Sequence, residues 1–226
     1  MTSANAPLPL RDELFLLGHD DDTGQPHLYR QALALGLAGA VLIDLFLTGR
    51  IVLASGNGRP EGELCLGLHL DRPIGDLVAD AAITSLRHAR TAPPLRPWLR
   101  GFAEDLYERT RAGLHDAGVL RHEVRRRFGG LSRTDCYLLT DTRWAVVARA
   151  RLRYLAAGRD EPTNHTAALA GLVATLGLTA HLYLGEDTAE VTAQLRAIAG
   201  QHHRPVCEIT AAVDAAVGDL ATATYR

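Results

Sequence analysis

The chain has 226 residues, 47% of them apolar and 22% charged, which allows a sizeable folded core and excludes a disordered polyelectrolyte. Its isoelectric point near 6.5 also excludes the uniformly basic profile expected of a nucleic-acid binder. The net charge of −2 nevertheless conceals a segregation: residues 87–159 carry 16 of the 24 basic residues against 7 acids, while the flanking segments 1–86 and 160–226 are both acidic.

Leu10, Leu14 and Leu17 predict a helix over residues 8–17, followed by a polar loop, His19–Gln25, with three consecutive Asp residues ahead of Gly24. Residues 28–48 are apolar nearly all round and predict a buried central helix, with Gly36, Ala38, Gly39 and Ala40 as a small-residue face and Gly49 at its C-terminal end. Ile51–Ala54 and Glu63–Leu68 read as paired strands around a Gly-rich loop. Helix is expected over Asp76–Arg90. A Pro-rich joint follows at Thr91–Pro97, then one helix from Trp98 to Ala117 that stops at Gly118. A second hairpin is expected over 119–139, with strands Val119–Arg127 and Asp135–Leu139. From Thr142 the pattern is helical to the end, with breaks near Gly158–Pro162, Gly177, Gly185 and His202–Pro205. The expected fold class is mainly α: a single globular helical domain over residues 1–226, built around a buried central helix, with two β-hairpins, one projecting as a membrane-facing tip.

No phosphate-binding loop, G-x-S-x-G or H-E-x-x-H is present, so no catalytic residue is assigned and the chain is not expected to be an enzyme. Asp20, Asp22 and Gly24 resemble the opening of a calcium loop, but Gln31 stands where the bidentate Glu would be required. His202, His203 and Cys207 have no fourth ligand at a suitable spacing. No metal and no cofactor are therefore expected. Cys65, Cys136 and Cys207, odd in number and set among apolar residues, read as reduced core cysteines of a cytoplasmic protein. No secretory signal is evident, and the run Leu33–Leu47 is too short for a membrane span, so any membrane contact is expected to be peripheral.

The second hairpin carries the most specific chemistry. Strand alternation puts Arg121, Glu123, Arg125 and Arg127 on one face, and His122, Val124, Arg126 and Phe128 on the other. The turn presents Phe128, Gly129, Gly130, Leu131 and Arg133, an apolar tip collared by arginine. Each Arg near an anionic leaflet contributes about 1 kcal/mol, and inserting a Phe or Leu contributes roughly 1–3 kcal/mol. Alternatively, Phe128 and Leu131 fold back onto the body and the arginines form a solvated edge that prevents strand pairing. Nucleic acid is not an expected partner: there is no helix-turn-helix and no run of stacking aromatics.

Several motifs resemble the Golgi phosphoprotein 3 family. They are Leu8–Gly18, the loop ending Asp22-Thr23-Gly24, Leu37–Ile51, Ile74-Gly75-Asp76, and Gly113–Leu120 before the hairpin. The resemblance implies a mostly helical fold around a buried helix, with a hairpin that inserts into membranes. It also implies binding of phosphatidylinositol 4-phosphate and an adaptor role toward the cytoplasmic tails of protein cargo. The family's headgroup aromatic falls on Tyr29. Its basic positions fall on Ala38, Glu104 and Tyr107, none of them positive, and Arg100, Arg109 and Arg111 lie nearby as substitutes. The expectation is a cytoplasmic, peripherally membrane-associated protein that docks its 119–139 hairpin on anionic lipid, with a phosphoinositide as the implied headgroup. The alternative is a soluble helical protein–protein adaptor without lipid binding.

Overall fold

In the computed structural model, the eighteen-residue helix α2 (Arg30–Leu47) forms the axis around which the other elements pack. The structure describes residues 8–55, 63–127, 132–185, 187–201 and 203–223. Among these, α2 is the one helix long and apolar enough to cross a bilayer, but most of its surface is covered by other helices. Leu33, Leu37, Leu42, Ile43 and Leu45 are completely or almost completely buried. Each such side chain contributes about 1.5–3 kcal/mol relative to exposure. The small-residue face does what its composition predicts. A Cβ on Gly39 would lie 2.5 Å from Val213, so only glycine lets the last helix approach this closely.

Around this axis stand α1 (Leu10–Leu17), α3 (Leu77–His88), α4 (Leu95–Ala103), α5 (Leu106–Asp116), α6 (Arg143–Ala156), α7 (Asn164–Thr175), α8 (Thr179–Leu182), α9 (Thr188–Gly200) and α10 (Arg204–Ala223). Two antiparallel two-stranded sheets complete the fold. β1 (Ile51–Ser55) pairs with β2 (Leu64–Leu68), and β3 (Leu120–Arg127) pairs with β4 (Ser132–Leu139).

Polar side chains fix how the first elements join. Leu10 N–H donates to Asp44 Oδ2 at 2.9 Å, so a carboxylate of α2 satisfies an orphan donor at the start of α1. Asp76 caps α3 by accepting from Val78 and Ala79 N–H. The same carboxylate takes a bidentate contact from Arg11, at 2.8 and 3.0 Å, which ties α1 to α3.

The predicted helix from Trp98 to Ala117 is two helices, α4 and α5, broken at Glu104–Asp105. Their packing partners differ: α4 lies against α10 and β2, whereas α5 lies against α1 and β3, and one straight helix could not serve both. The Pro-rich joint is also shorter than expected, because α4 already starts at Leu95 and takes Pro97 into its first turn, where no N–H partner is lost. The return strand of the second hairpin starts at Ser132 rather than Asp135.

Candidate functional site

The β3–β4 hairpin leaves the body from a buried root. Leu120, Cys136 and Leu138 are buried, whereas Val124 is 53% exposed, so burial fades within a few residues of the base. Thr140 closes the root by donating its hydroxyl to the Gly118 carbonyl at 2.7 Å. The root is also braced from the side by the acidic loop. Gly24 has φ +65°, and a Cβ there would stand 2.3 Å from the Tyr137 carbonyl oxygen. Asp20, the nominal first calcium ligand, accepts instead from Thr23 N–H at 2.8 Å and Thr23 Oγ1 at 2.7 Å. Asp21 pairs with Arg149 of α6. This loop is a structural buttress.

Eight register pairs run from Leu120↔Leu139 to Arg127↔Ser132, about 3.3 Å apart along each strand. Near the root the charges are mixed: Arg121 pairs with Glu123, and His122 contacts Asp135 at 2.9 Å. Beyond them lie Arg125, Arg126, Arg127 and Arg133, with no acid between Asp135 and Glu123 across the turn. The register sets Arg126 opposite Arg133, and like charges in direct cross-strand opposition are destabilising in an isolated ribbon. The expected tip residues Phe128 and Leu131 lie outside the described residues. Arg125, Arg126, Arg127 and Arg133 are placed by the backbone register.

A second candidate region is a cavity of about 470 Å³ between α2, α4, α5 and α10. Of the four headgroup candidates, only Arg100 lines it, and Arg100 pairs there with Asp219 of α10. Arg109 bridges Asp105 at 3.6 Å and lies over the Phe102 ring. Arg111 pairs with Glu108 and stacks 4.2 Å from the Tyr137 ring centroid, which links α5 to the hairpin. Tyr29 is 85% exposed at the N-cap of α2 and does not line the cavity. Ala38 is completely buried and does not line the cavity, whereas Glu104 and Tyr107 do.

Tyr107 is largely buried, and its hydroxyl lies 2.7 Å from His19 Nε2. The other ring nitrogen of His19 is 2.6 Å from the Phe15 carbonyl, which can only accept. Nδ1 therefore carries the hydrogen and Nε2 accepts from tyrosine. Burial, only partly offset by that carbonyl, lowers the His19 pKa to about 4 and keeps the ring neutral.

Arg30, Glu108 and Asp219 were not anticipated as cavity residues. Arg30 lies over the Tyr107 ring and 3.5 Å from Glu108. Its position next to Tyr29 is the one cue in the sequence; Asp219, 119 residues from its partner Arg100, has none.

Among the described residues no group of three or more His, Cys, Asp or Glu side chains could hold a metal ion. What the fold does define is a helical body around one buried apolar helix, carrying an arginine-rich antiparallel ribbon. The chain matches the family described as Golgi phosphoprotein 3 (GPP34) over residues 10–222, nearly its whole length, and it belongs to that family.

Proposed function

We propose that this protein is a peripheral membrane protein that docks its β3–β4 hairpin on anionic lipid. The observation that carries the proposal is the outer part of the ribbon, where Arg125, Arg126, Arg127 and Arg133 cluster without an acid and Arg126 stands opposite Arg133. An arrangement that repels itself in isolation is stabilised when an anionic surface supplies the counter-charge. Family membership supports the same reading. Attachment combines a few kcal/mol of electrostatic attraction with insertion of Phe128 and Leu131, and is therefore reversible. An adaptor role toward cytoplasmic protein tails belongs to the same proposal.

Co-sedimentation with phosphatidylglycerol vesicles at low salt tests it. The wild type is expected to pellet with the vesicles, and Phe128→Ala combined with Arg125→Glu to remain in the supernatant at unchanged melting temperature. Failure of the wild type to bind, or binding indifferent to the double substitution, removes the proposal and favours the soluble adaptor.

A further inference from the structure

A separate cavity, of about 290 Å³, opens where the start of α1 meets the C-terminal half of α2 and the entry to α3. Val41, Leu45, Ile74 and Ala79 give it apolar walls, and Ile74, 43% exposed, carries that surface out toward solvent. Its polar lining is Arg11, Asp44, Thr48, Asp76 and His165.

Most of these polar groups are already satisfied by buried partners. The Arg11 side chain, 8% exposed, gives Nε to Asp12 and its two terminal nitrogens to Asp76. Asp76 is saturated by that fork together with Val78 and Ala79 N–H. Asp44 differs. Its Oδ2 accepts from Leu10 N–H, but among the described residues Oδ1 has no partner and no cation pairs with the carboxylate. Thr48 lies one turn further along the same face of α2. It donates its hydroxyl to the Asp44 and Leu45 carbonyls, at 2.7 and 3.2 Å, so its oxygen can still accept. His165 turns Nε2 to Glu13 Oε2 at 3.1 Å. A carboxylate only accepts, so Nε2 carries the hydrogen and Nδ1 of the neutral ring is a further acceptor. The unclaimed groups of Asp44, Thr48 and His165 are thus all acceptors.

That imbalance selects a donor. A carboxylate or phosphate would set like charge against Asp44, and an alcohol would leave the charge of Asp44 uncompensated. A metal ion would lack ligands, since among the described residues no three His, Cys, Asp or Glu side chains converge. A primary ammonium supplies three N–H donors and the missing positive charge, and a hydrocarbon body behind it covers the apolar wall. Burial, opposed by the Leu10 N–H bond, His165 and Arg11, raises the Asp44 pKa to about 6, as expected of a carboxylate without its own cation. The volume sits at the lower edge of the range of about 300–1,000 Å³ typical of small-ligand sites, which suits a compact ligand. We infer that this cavity binds a small primary amine, its ammonium between Asp44 and Thr48 and its hydrocarbon body against Val41, Leu45 and Ile74. None of these residues belongs to the hairpin, and the site does not depend on membrane docking.

Titration of the full chain with phenethylamine at neutral pH, followed by heteronuclear NMR, tests the site. Resonances of Val41, Asp44, Leu45, Thr48, Ile74 and His165 are expected to shift and to saturate at millimolar concentration. Phenethyl alcohol, the neutral isostere, should bind at least about tenfold more weakly, and hydrocinnamate should leave these resonances unmoved. The Asp44 carboxyl, which shares the cavity with Arg11, Asp76 and His165, should titrate at lower pH once amine is bound, because the ammonium favours the ionised form. Asp44→Asn, whose amide oxygen can still accept from Leu10 N–H, should keep the remaining spectrum and bind amine and alcohol alike. Thr48→Val should weaken the amine about threefold. Nα-acetyl-lysine amide carries the same ammonium on a polar backbone and should bind at least about tenfold more weakly than phenethylamine. The reverse order would assign the cavity to a protein side chain and overturn the small amine. Equal affinity for amine and alcohol, an amine preference that survives Asp44→Asn, or silence at these residues also overturns it.

Discussion

Arginine meets acids from distant parts of the chain in α6, whereas the outer hairpin that precedes it offers none within its own sequence. In α6, Arg149 reaches Asp21 and Arg151 reaches Glu13, whose side chain is only 4% exposed. These cations come from the basic middle of the chain, and their partners come from its acidic beginning. Arg87 with Asp71 and Arg100 with Asp219 repeat the pattern across the same sequence boundaries. Four arginines of the basic middle are thus matched by acids from the flanking segments. Along the outer hairpin Arg125, Arg126, Arg127 and Arg133 follow one another with no acid within their own stretch of ribbon. A charge imbalance in a sequence is evidence for a partner only after tertiary pairing has been subtracted.

The comparison can be broken most forcefully at Arg151. Its removal leaves buried Glu13 with His165 alone, at 3.1 Å. A loss of about 2–4 kcal/mol is expected for Arg151→Ala, roughly 5–10 °C in melting temperature, because one half of a buried pair is left behind. Arg126→Ala is expected to leave thermal unfolding unchanged within about 0.5 kcal/mol. Equal losses at the two sites would erase the distinction.

Acidity should separate the regions next. Burial, opposed by the Leu10 N–H bond, raises the Asp44 pKa from 3.8 to about 6. Between those values the folded protein keeps a proton the unfolded chain has lost, so Asp44 makes stability fall as pH rises through that window. His19, lowered from 6.5 to about 4, acts in the opposite sense: the unfolded chain takes up the proton first, and stability falls as pH drops from 6.5 toward 4. The two contributions offset each other over most of this range. Asp44→Asn removes one of them, so melting temperature should fall more steeply on acidification than in the wild type, by an amount on the order of 1–2 kcal/mol between pH 6 and 4. Vesicle binding through arginine should show no matching dependence, and a parallel slope in both assays would contradict the assignment.

The smallest effect is expected at Arg87, whose bond to Asp71 is exposed on both sides, at 43% and 46%. Arg87→Ala should leave the chemical-denaturation midpoint within the spread of repeat measurements. A larger loss would mean that burial is not what distinguishes the α6 pairs.

Much of this architecture is legible in the sequence, for local reasons. The apolar run of α2, interrupted at Asp44, the Asp76 cap and the alternating β3 strand need only short-range patterns. The break between α4 and α5 does not announce itself. Leu99, Ala103, Leu106, Thr110 and Leu114 keep helical spacing straight through it and are all buried, so periodicity passes over Asp105 without a gap. The cavity is less legible still. It depends on α10 returning to α4, and the Arg100–Asp219 pair that marks it joins residues 119 positions apart. Tyr29 follows from the family resemblance and the substitute arginines from their closeness in sequence to its basic positions, but a helix turns neighbours outward in different directions. Only Arg100 turns into the cavity.

The contact between Gly24 and the Tyr137 carbonyl gives the hairpin a fulcrum. Below it the strands are held by the acidic loop, the Thr140 closure and Arg111 stacked on Tyr137; above it the ladder continues to Arg127↔Ser132. A side chain at position 24 would have to displace that carbonyl, and with it the loop that brings Asp21 to Arg149.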